Sequence, residues 1–145
     1  FISMFGPIES LAAQSAQRVL DLRTGDIVNV ELKFKNGATG FLGAISATPY
    51  YGRFTVFGSK MWIEARDDSH PQHGGKTHLI TCGMDGKQHS KTFSAKDPVR
   101  ANLEEWADAV INNKLYRFTN EQRVENVAVL EAIAQSVKSK KWVDV

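Results

Sequence analysis

Ile27-Val28-Asn29-Val30-Glu31-Leu32-Lys33-Phe34, followed by Lys35-Asn36-Gly37, is the stretch that decides the fold. Val28, Val30, Leu32 and Phe34 alternate with Asn29, Glu31 and Lys33, the period of two that marks a strand with one face buried and the other in water. Asn36-Gly37 tolerates the positive φ of a type I′ turn, so residues 38–46 are expected to return antiparallel. Gly37, Gly40 and Gly43 recur every third residue there. They sit in a hairpin arm beside Phe41, Leu42 and Ile45, not at a strand-to-helix junction, and read as close backbone packing, not as a phosphate loop.

Working outward, residues 8–17 follow the Gly6-Pro7 break and read as a strand, although their small side chains leave the period ambiguous. Residues 53–57 and 61–65 flank Gly58-Ser59-Lys60, and residues 78–82 and 88–93 bracket 83–87, so two further hairpins are expected. Residues 66–77 are polar, rich in breakers, and read as an exposed loop. The period then changes. Leu103, Trp106, Ala107, Val110 and Ile111 fall on one helical stripe, opened by Asp97-Pro98 and stopped by Asn112-Asn113. A second helix opens at Thr119, with Gln122 at capping-box spacing, and runs to about Ser139 with a stripe through Val124, Val127, Leu130, Ala134 and Val137. Residues 142–145 alternate like a closing strand. The expected fold is α+β: one domain over residues 1–145, with a large mixed, mostly antiparallel sheet of six or seven strands and the two C-terminal helices packed on one face.

The 145 residues are 42% hydrophobic and 23% charged, too apolar for a disordered chain, and the net charge of +2 gives no electrostatic reason to expect a nucleic-acid partner. A single cysteine, Cys82, cannot form an intrachain disulfide and fits a cytoplasmic setting. No apolar run reaches bilayer-spanning length, so no membrane is expected. Phe1-Ile2-Ser3-Met4-Phe5 reads as the last turn of a helix cut from a longer protein.

Four sets of residues carry candidate chemistry. His70, His73 and His78, with Asp67, Asp68 and Cys82 nearby, offer metal-ligand types, but a Gly74-Gly75 loop does not aim them, and no metal site is expected. Cys82 lacks a neighbouring base and reads as a core thiol. Tyr50-Tyr51-Gly52-Arg53 combines two phenols with a guanidinium able to grip a carboxylate or polyol, and is the most site-like stretch; the alternative is an edge loop whose tyrosines cover the core rim. Asn29, Glu31 and Lys33 present a polar sheet face, either solvated, or an oligomer interface or ligand floor. Trp62, Trp106 and Trp142 read as core or rim packing.

Several segments, in order, resemble the C-terminal domain of the glucose-fructose oxidoreductase / inositol dehydrogenase (Gfo/Idh/MocA) family. These are Phe5-Gly6-Pro7-Ile8, Gly25-Asp26-Ile27 leading into Leu32–Gly40, Phe57-Gly58-Ser59-Lys60, Asn102-Leu103-Glu104-Glu105-Trp106, and residues 129–136 before the final strand. In that family a separate Rossmann domain holds NAD or NADP and carries a catalytic Lys in a Glu-Lys-Pro segment, and the second domain supplies a catalytic His. None of these motifs occurs here, and the counterparts of the family's Asp and His would fall upstream of Phe1. The resemblance therefore implies a substrate-side and oligomerisation domain with no catalytic or cofactor-binding residues of its own, inactive alone. The full-length protein would be an NAD(P)-dependent oxidoreductase of a sugar, polyol or related diol, a homodimer or homotetramer joined through the open sheet face. Two other readings are a free-standing α+β binding or dimerisation module and a small metal-dependent enzyme using the His-rich loop.

Overall fold

The computed structural model describes residues 1–70, 73–94 and 96–145, and the chain divides into two compact units. The first unit, Phe1–Ala47 with Tyr116–Val145, contains the short helix α1 (Ile2–Phe5), strands β1 (Ile8–Ala16), β2 (Ile27–Phe34) and β3 (Thr39–Ile45), and, beyond the second unit in the chain, helix α3 (Asn120–Ser139) and strand β8 (Val143–Asp144). Its four strands form an antiparallel sheet in the order β3-β2-β1-β8. The alternation of β2 is realised: Val30, Leu32 and Phe34 are buried while Asn29, Glu31 and Lys33 are exposed. Leu11 stands opposite Leu32 and Ala13 opposite Val30, so the apolar faces of β1 and β2 make one surface. Ala132 of α3 is buried against it, with Val129, Ile133 and Val137 packed around.

Two details differ from the sequence reading. Gly37 alone has positive φ, at 87°, and donates its N–H to the Phe34 carbonyl, while the Phe34 N–H donates to Ala38. That is a three-residue turn ending in a left-handed glycine; a type I′ turn would need positive φ at Asn36 as well. Asn36 instead turns its side-chain oxygen to the Ala38 N–H. In α3, Val124, Val127 and Leu130 are exposed, and the sheet-facing stripe runs through Val129, Ala132, Ile133, Ser136 and Val137. A polar residue wins a core position because it has two partners: the Ser136 hydroxyl accepts the buried Ala13 N–H at 2.8 Å and donates to the Lys141 carbonyl at 2.6 Å. The hydrophobic period alone does not see this.

The helix ends follow their signals. Thr119 and Gln122 form the capping box, and α3 stops at Lys140, left-handed with φ 59°. At the edge of the sheet, Asp26 is 2% exposed and accepts the N–H groups of Arg18, Val19 and Leu20. Those amides, Leu20 first, hold its carboxyl below the ordinary aspartate range against the opposing pull of burial, so loop 17–25 folds around a carboxylate.

The second unit, Thr48–Leu115, is a four-stranded antiparallel sheet in the order β4 (Gly52–Phe57), β5 (Met61–Asp67), β6 (Lys76–Gly83), β7 (Gln88–Ser94), followed by helix α2 (Pro98–Ile111). The α+β class and the antiparallel hairpins are as read from the sequence; the strands are shared between two sheets of four. Strands β5 and β6 extend into the expected loop, of which Pro71 and Gln72 lie outside the described residues. Asp97 caps α2 by accepting the N–H groups of Val99 and Arg100. The helical cover of the first sheet comes from α3; α2 contains no buried residue, and Leu103, Trp106 and Val110 are more than half exposed. Trp142 is likewise a rim residue, 45% exposed. No helix among the described residues is long and apolar enough to cross a membrane.

Replacing Ser136 by Ala leaves the buried Ala13 N–H without an acceptor, so the variant is expected to lose about 1–3 kcal/mol of unfolding free energy in urea titrations while keeping its circular dichroism.

Candidate functional site

The short connection after Gly58 fixes the register of β4 and β5: Phe57 faces Trp62, and counting outward sets Gly52 opposite Asp67. The same count on β6 sets Thr77 opposite Asp67. Tyr50, just ahead of β4, therefore reaches the end of β5. Its hydroxyl is hydrogen-bonded to the Asp67 carboxylate, which also accepts the Thr77 hydroxyl at 2.5 Å. The ring lies so close over Gly52 that a Cβ there would collide with the phenol oxygen. Burial first, then the charge and hydrogen bond of Asp67, push the Tyr50 phenol above its usual range. The His70 ring stands edge-on to Tyr50, centroids 5.5 Å apart.

Arg53 is diagonal to Glu64 across the same hairpin, Nη1 to Oε2 3.7 Å, with its guanidinium 6.0 Å from the centroid of the Tyr51 ring. Tyr51 is 67% exposed and Arg53 is exposed too. Arg53 and Glu64, with Tyr51 beside them, thus share one face of the hairpin, whereas Tyr50 lies over Gly52 on the face of Asp67, so the structure divides the three candidates between two faces. On the Arg53 face a phenol, a guanidinium and a carboxylate stand together, donors and acceptors of the kind that hydroxyls bond. Glu64 and the pairing of Thr77 with Asp67 were absent from the sequence reading; the hairpin register counted from Gly58 would have found Glu64, whereas Thr77 depends on the separate pairing of β5 with β6.

The other candidates separate. His78 Nε2 lies 2.9 Å from Asp68 Oδ1 and its Nδ1 3.2 Å from the Thr92 hydroxyl. His70 and His73 sit together with ring centroids 5.8 Å apart. Among the described residues no group of three or more His, Cys, Asp or Glu is placed to hold a metal ion. Cys82 is buried, its thiol 3.6 Å from the Gly83 carbonyl.

In the first unit, Asn29, Glu31 and Lys33 form the uncovered face of β2. Lys33 Nζ lies 4.6 Å above the Trp142 ring, and a groove of 680 Å³ runs past Gln14, Asn29, Glu31, Phe41 and Trp142. An apolar cavity of 560 Å³ lies on the other face, between Leu32, Leu42, Phe118, Leu130 and Ile133.

A dinucleotide does not fit the described residues. A pyrophosphate needs free amides at a helix N-terminus behind a glycine-rich turn, whereas neither helix follows such a turn: at α2 the Asp97 carboxylate takes the Val99 and Arg100 amides and would repel a phosphate, and at α3 the Thr119 hydroxyl takes the Gln122 amide.

The sequence matches, over residues 1–145, the family described as Gfo/Idh/MocA, oxidoreductase family, C-terminal alpha/beta domain. No curated protein matches. Among solved structures the chain is similar to a Desulfitobacterium hafniense protein assigned as an NADPH-dependent oxidoreductase (22% identity, TM-score 0.82, 99% of this chain and 43% of that one). It is also similar to the aldose-aldose oxidoreductase of Caulobacter crescentus complexed with glycerol (19%, 0.75, 96% and 42%). A third is the WlbA dehydrogenase of Bordetella pertussis in complex with NADH and UDP-GlcNAcA (15%, 0.69, 97% and 41%). The chain spans less than half the length of each.

Replacing Asp67 by Asn removes the charge facing Tyr50 and leaves its burial, so the Tyr50 phenol is expected to titrate at lower pH than in the parent while staying above an exposed tyrosine, as read by ultraviolet or NMR titration.

Proposed function

The chain belongs to the Gfo/Idh/MocA oxidoreductase family as its C-terminal alpha/beta domain, and we propose that it is the substrate-side and self-association half of an NAD(P)-dependent oxidoreductase acting on a sugar, polyol or related diol. The observation that carries this reading is the Tyr51 and Arg53 pair, with Glu64 beside the guanidinium, while Tyr50 is tied to Asp67 on the other face of the same hairpin end. When bound elsewhere in the longer protein, NAD or NADP supplies the hydride acceptor. This chain contributes orientation. Arg53, anchored at Glu64 beside Tyr51, offers a forked donor to a hydroxyl or carboxylate, and Tyr51 offers its phenol; Tyr50, tied to Asp67 on the other face, holds the start of β4 against the end of β5. Hydride transfer is assigned to the whole protein, and the 145 residues alone are inactive. A buried free thiol at Cys82 suits the cytoplasm.

Self-association is assigned to the open face bearing Asn29, Glu31 and Lys33. The helix α3 covers the opposite face, and a sheet face left open can supply the roughly 800 Å² per partner that a stable homodimer needs. Polar residues suit such a contact, because non-obligate interfaces are about as apolar as ordinary surface.

In the longer protein, Arg53→Ala is expected to raise KM for the substrate roughly tenfold with a smaller change in kcat, because a positioning contact is lost and no reacting group is removed. An unchanged KM contradicts the placement of substrate at this patch. For the open face, Glu31→Lys sets a second positive charge beside Lys33 and against a two-fold partner, so sedimentation should show association weakened roughly tenfold with the fold intact.

A further inference from the structure

We propose that the outer edge of β3 is a second self-association surface, on which β3 of another copy of this chain pairs antiparallel, centred on Leu42. Strand β3 is the last strand of its sheet, and no other strand of the sheet pairs with its outer side. The Phe34 N–H bonds the Ala38 carbonyl and the Ser46 N–H bonds the Asp26 carbonyl. Residues alternate along a strand, so Gly40, Leu42 and Ala44 also turn their backbone groups toward β2. Thr39, Phe41, Gly43 and Ile45 turn theirs outward. Gly43 is exposed, and no strand of the sheet takes its outward N–H and C=O.

An open edge of this kind is normally blunted by a charge, a proline or a cover. The other edges among the described residues are. β4 carries Arg53 and β7 carries Lys91, and where β1 runs past the two-residue β8 the Ala13 N–H is taken by Ser136. Thr39–Ile45 has no charge and no proline, and Phe41 and Ile45 are 64% and 55% exposed.

The strand fits a copy of itself better than it fits an arbitrary peptide. With a two-fold axis at Leu42, Phe41 stands opposite Gly43 of the other copy, Thr39 opposite Ile45, and Gly40 opposite Ala44. Every outward N–H and C=O of the strand then finds a partner, and no like charges meet. The bare Gly43 leaves room for an aromatic ring to cover it; the Phe41 ring already lies 3.3 Å from where a Gly43 Cβ would stand in the same strand. The Leu42 side chains meet at the axis. This contact is made by the backbone edge and the open-face contact by side chains, with Phe41 and Ile45 pointing onto the open face, and two such two-fold surfaces at right angles build a tetramer of D2 symmetry.

Cysteine cross-linking tests the register. Residues facing each other across the axis in a non-hydrogen-bonded pair have Cα atoms about 4.5 Å apart, within disulfide range, whereas the two Phe41 positions are offset along the strands and lie outside it. Leu42→Cys is therefore expected to form a disulfide-linked dimer on oxidation several-fold faster than Phe41→Cys, with Cys82 buried and silent. Phe41→Lys with Ile45→Lys, both at exposed positions, should slow the Leu42→Cys cross-link roughly tenfold in the Glu31→Lys background, where the open-face contact is already weakened, with an unchanged circular dichroism spectrum. Equal cross-linking at 41 and 42, no cross-linking at 42, or a Leu42→Cys cross-link indifferent to the two lysines in that background overturns the proposal. If Glu31→Lys alone abolishes association while Leu42→Cys stays monomeric, the edge contact falls and the open-face contact stands; if Leu42→Cys cross-links in the Glu31→Lys background, the edge contact stands by itself.

Discussion

Strand β2 is bound on both sides and buried on one face only, and this constraint organises the first unit. Its register on β1 sets Leu11 against Leu32 and Ala13 against Val30, and its register on β3 sets Leu42 against Val30. A slip of one residue would carry Val30, Leu32 and Phe34 to the water face and bring Asn29, Glu31 and Lys33 under α3. Two polar anchors hold the helix in line with that register: Ser136 on the Ala13 N–H and Glu125 on the Ile8 N–H at 2.6 Å. The covered face, the open face and the free edge of β3 are all consequences of the same arrangement.

Much of this is legible in the residues. The alternation of β2, the Asp97 cap with Pro98, the Thr119 and Gln122 box and the three hairpins all rest on local rules, and local rules operate before tertiary contacts do. The face of α3 was not legible. Val124, Val127 and Leu130 form a credible stripe, yet the helix turns Ala132 and Ser136 inward because a strand amide needs an acceptor and small side chains let helix and sheet approach closely. The hairpin turn at Asn36-Gly37 was misread for a related reason, since the same dipeptide serves two loops and only the pairing of Phe34 with Ala38 distinguishes them. Division of the strands between two sheets depends on pairings between segments distant in sequence, which no period reports.

For the site, the sequence singled out Tyr50, Tyr51 and Arg53 by chemistry alone. The structure adds the carboxylates that orient them: Asp67, engaged by both Tyr50 and Thr77, and Glu64, facing Arg53. Without those partners an arginine on a strand and two tyrosines in a loop are ordinary surface. On the proposed reading, binding of the cofactor and orientation of the substrate are the work of different parts of a longer polypeptide, and the chain spans less than half the length of its structural relatives.

The measurement that tests this division of labour most directly is a crystal structure of the longer protein with nicotinamide cofactor and substrate bound together. The account predicts the substrate's hydroxyls within hydrogen-bond distance of Arg53 or Tyr51, and the cofactor's pyrophosphate held entirely outside residues 1–145. A substrate bound away from Tyr50, Tyr51 and Arg53, or a pyrophosphate seated on the N-terminus of α2 or α3, would contradict it.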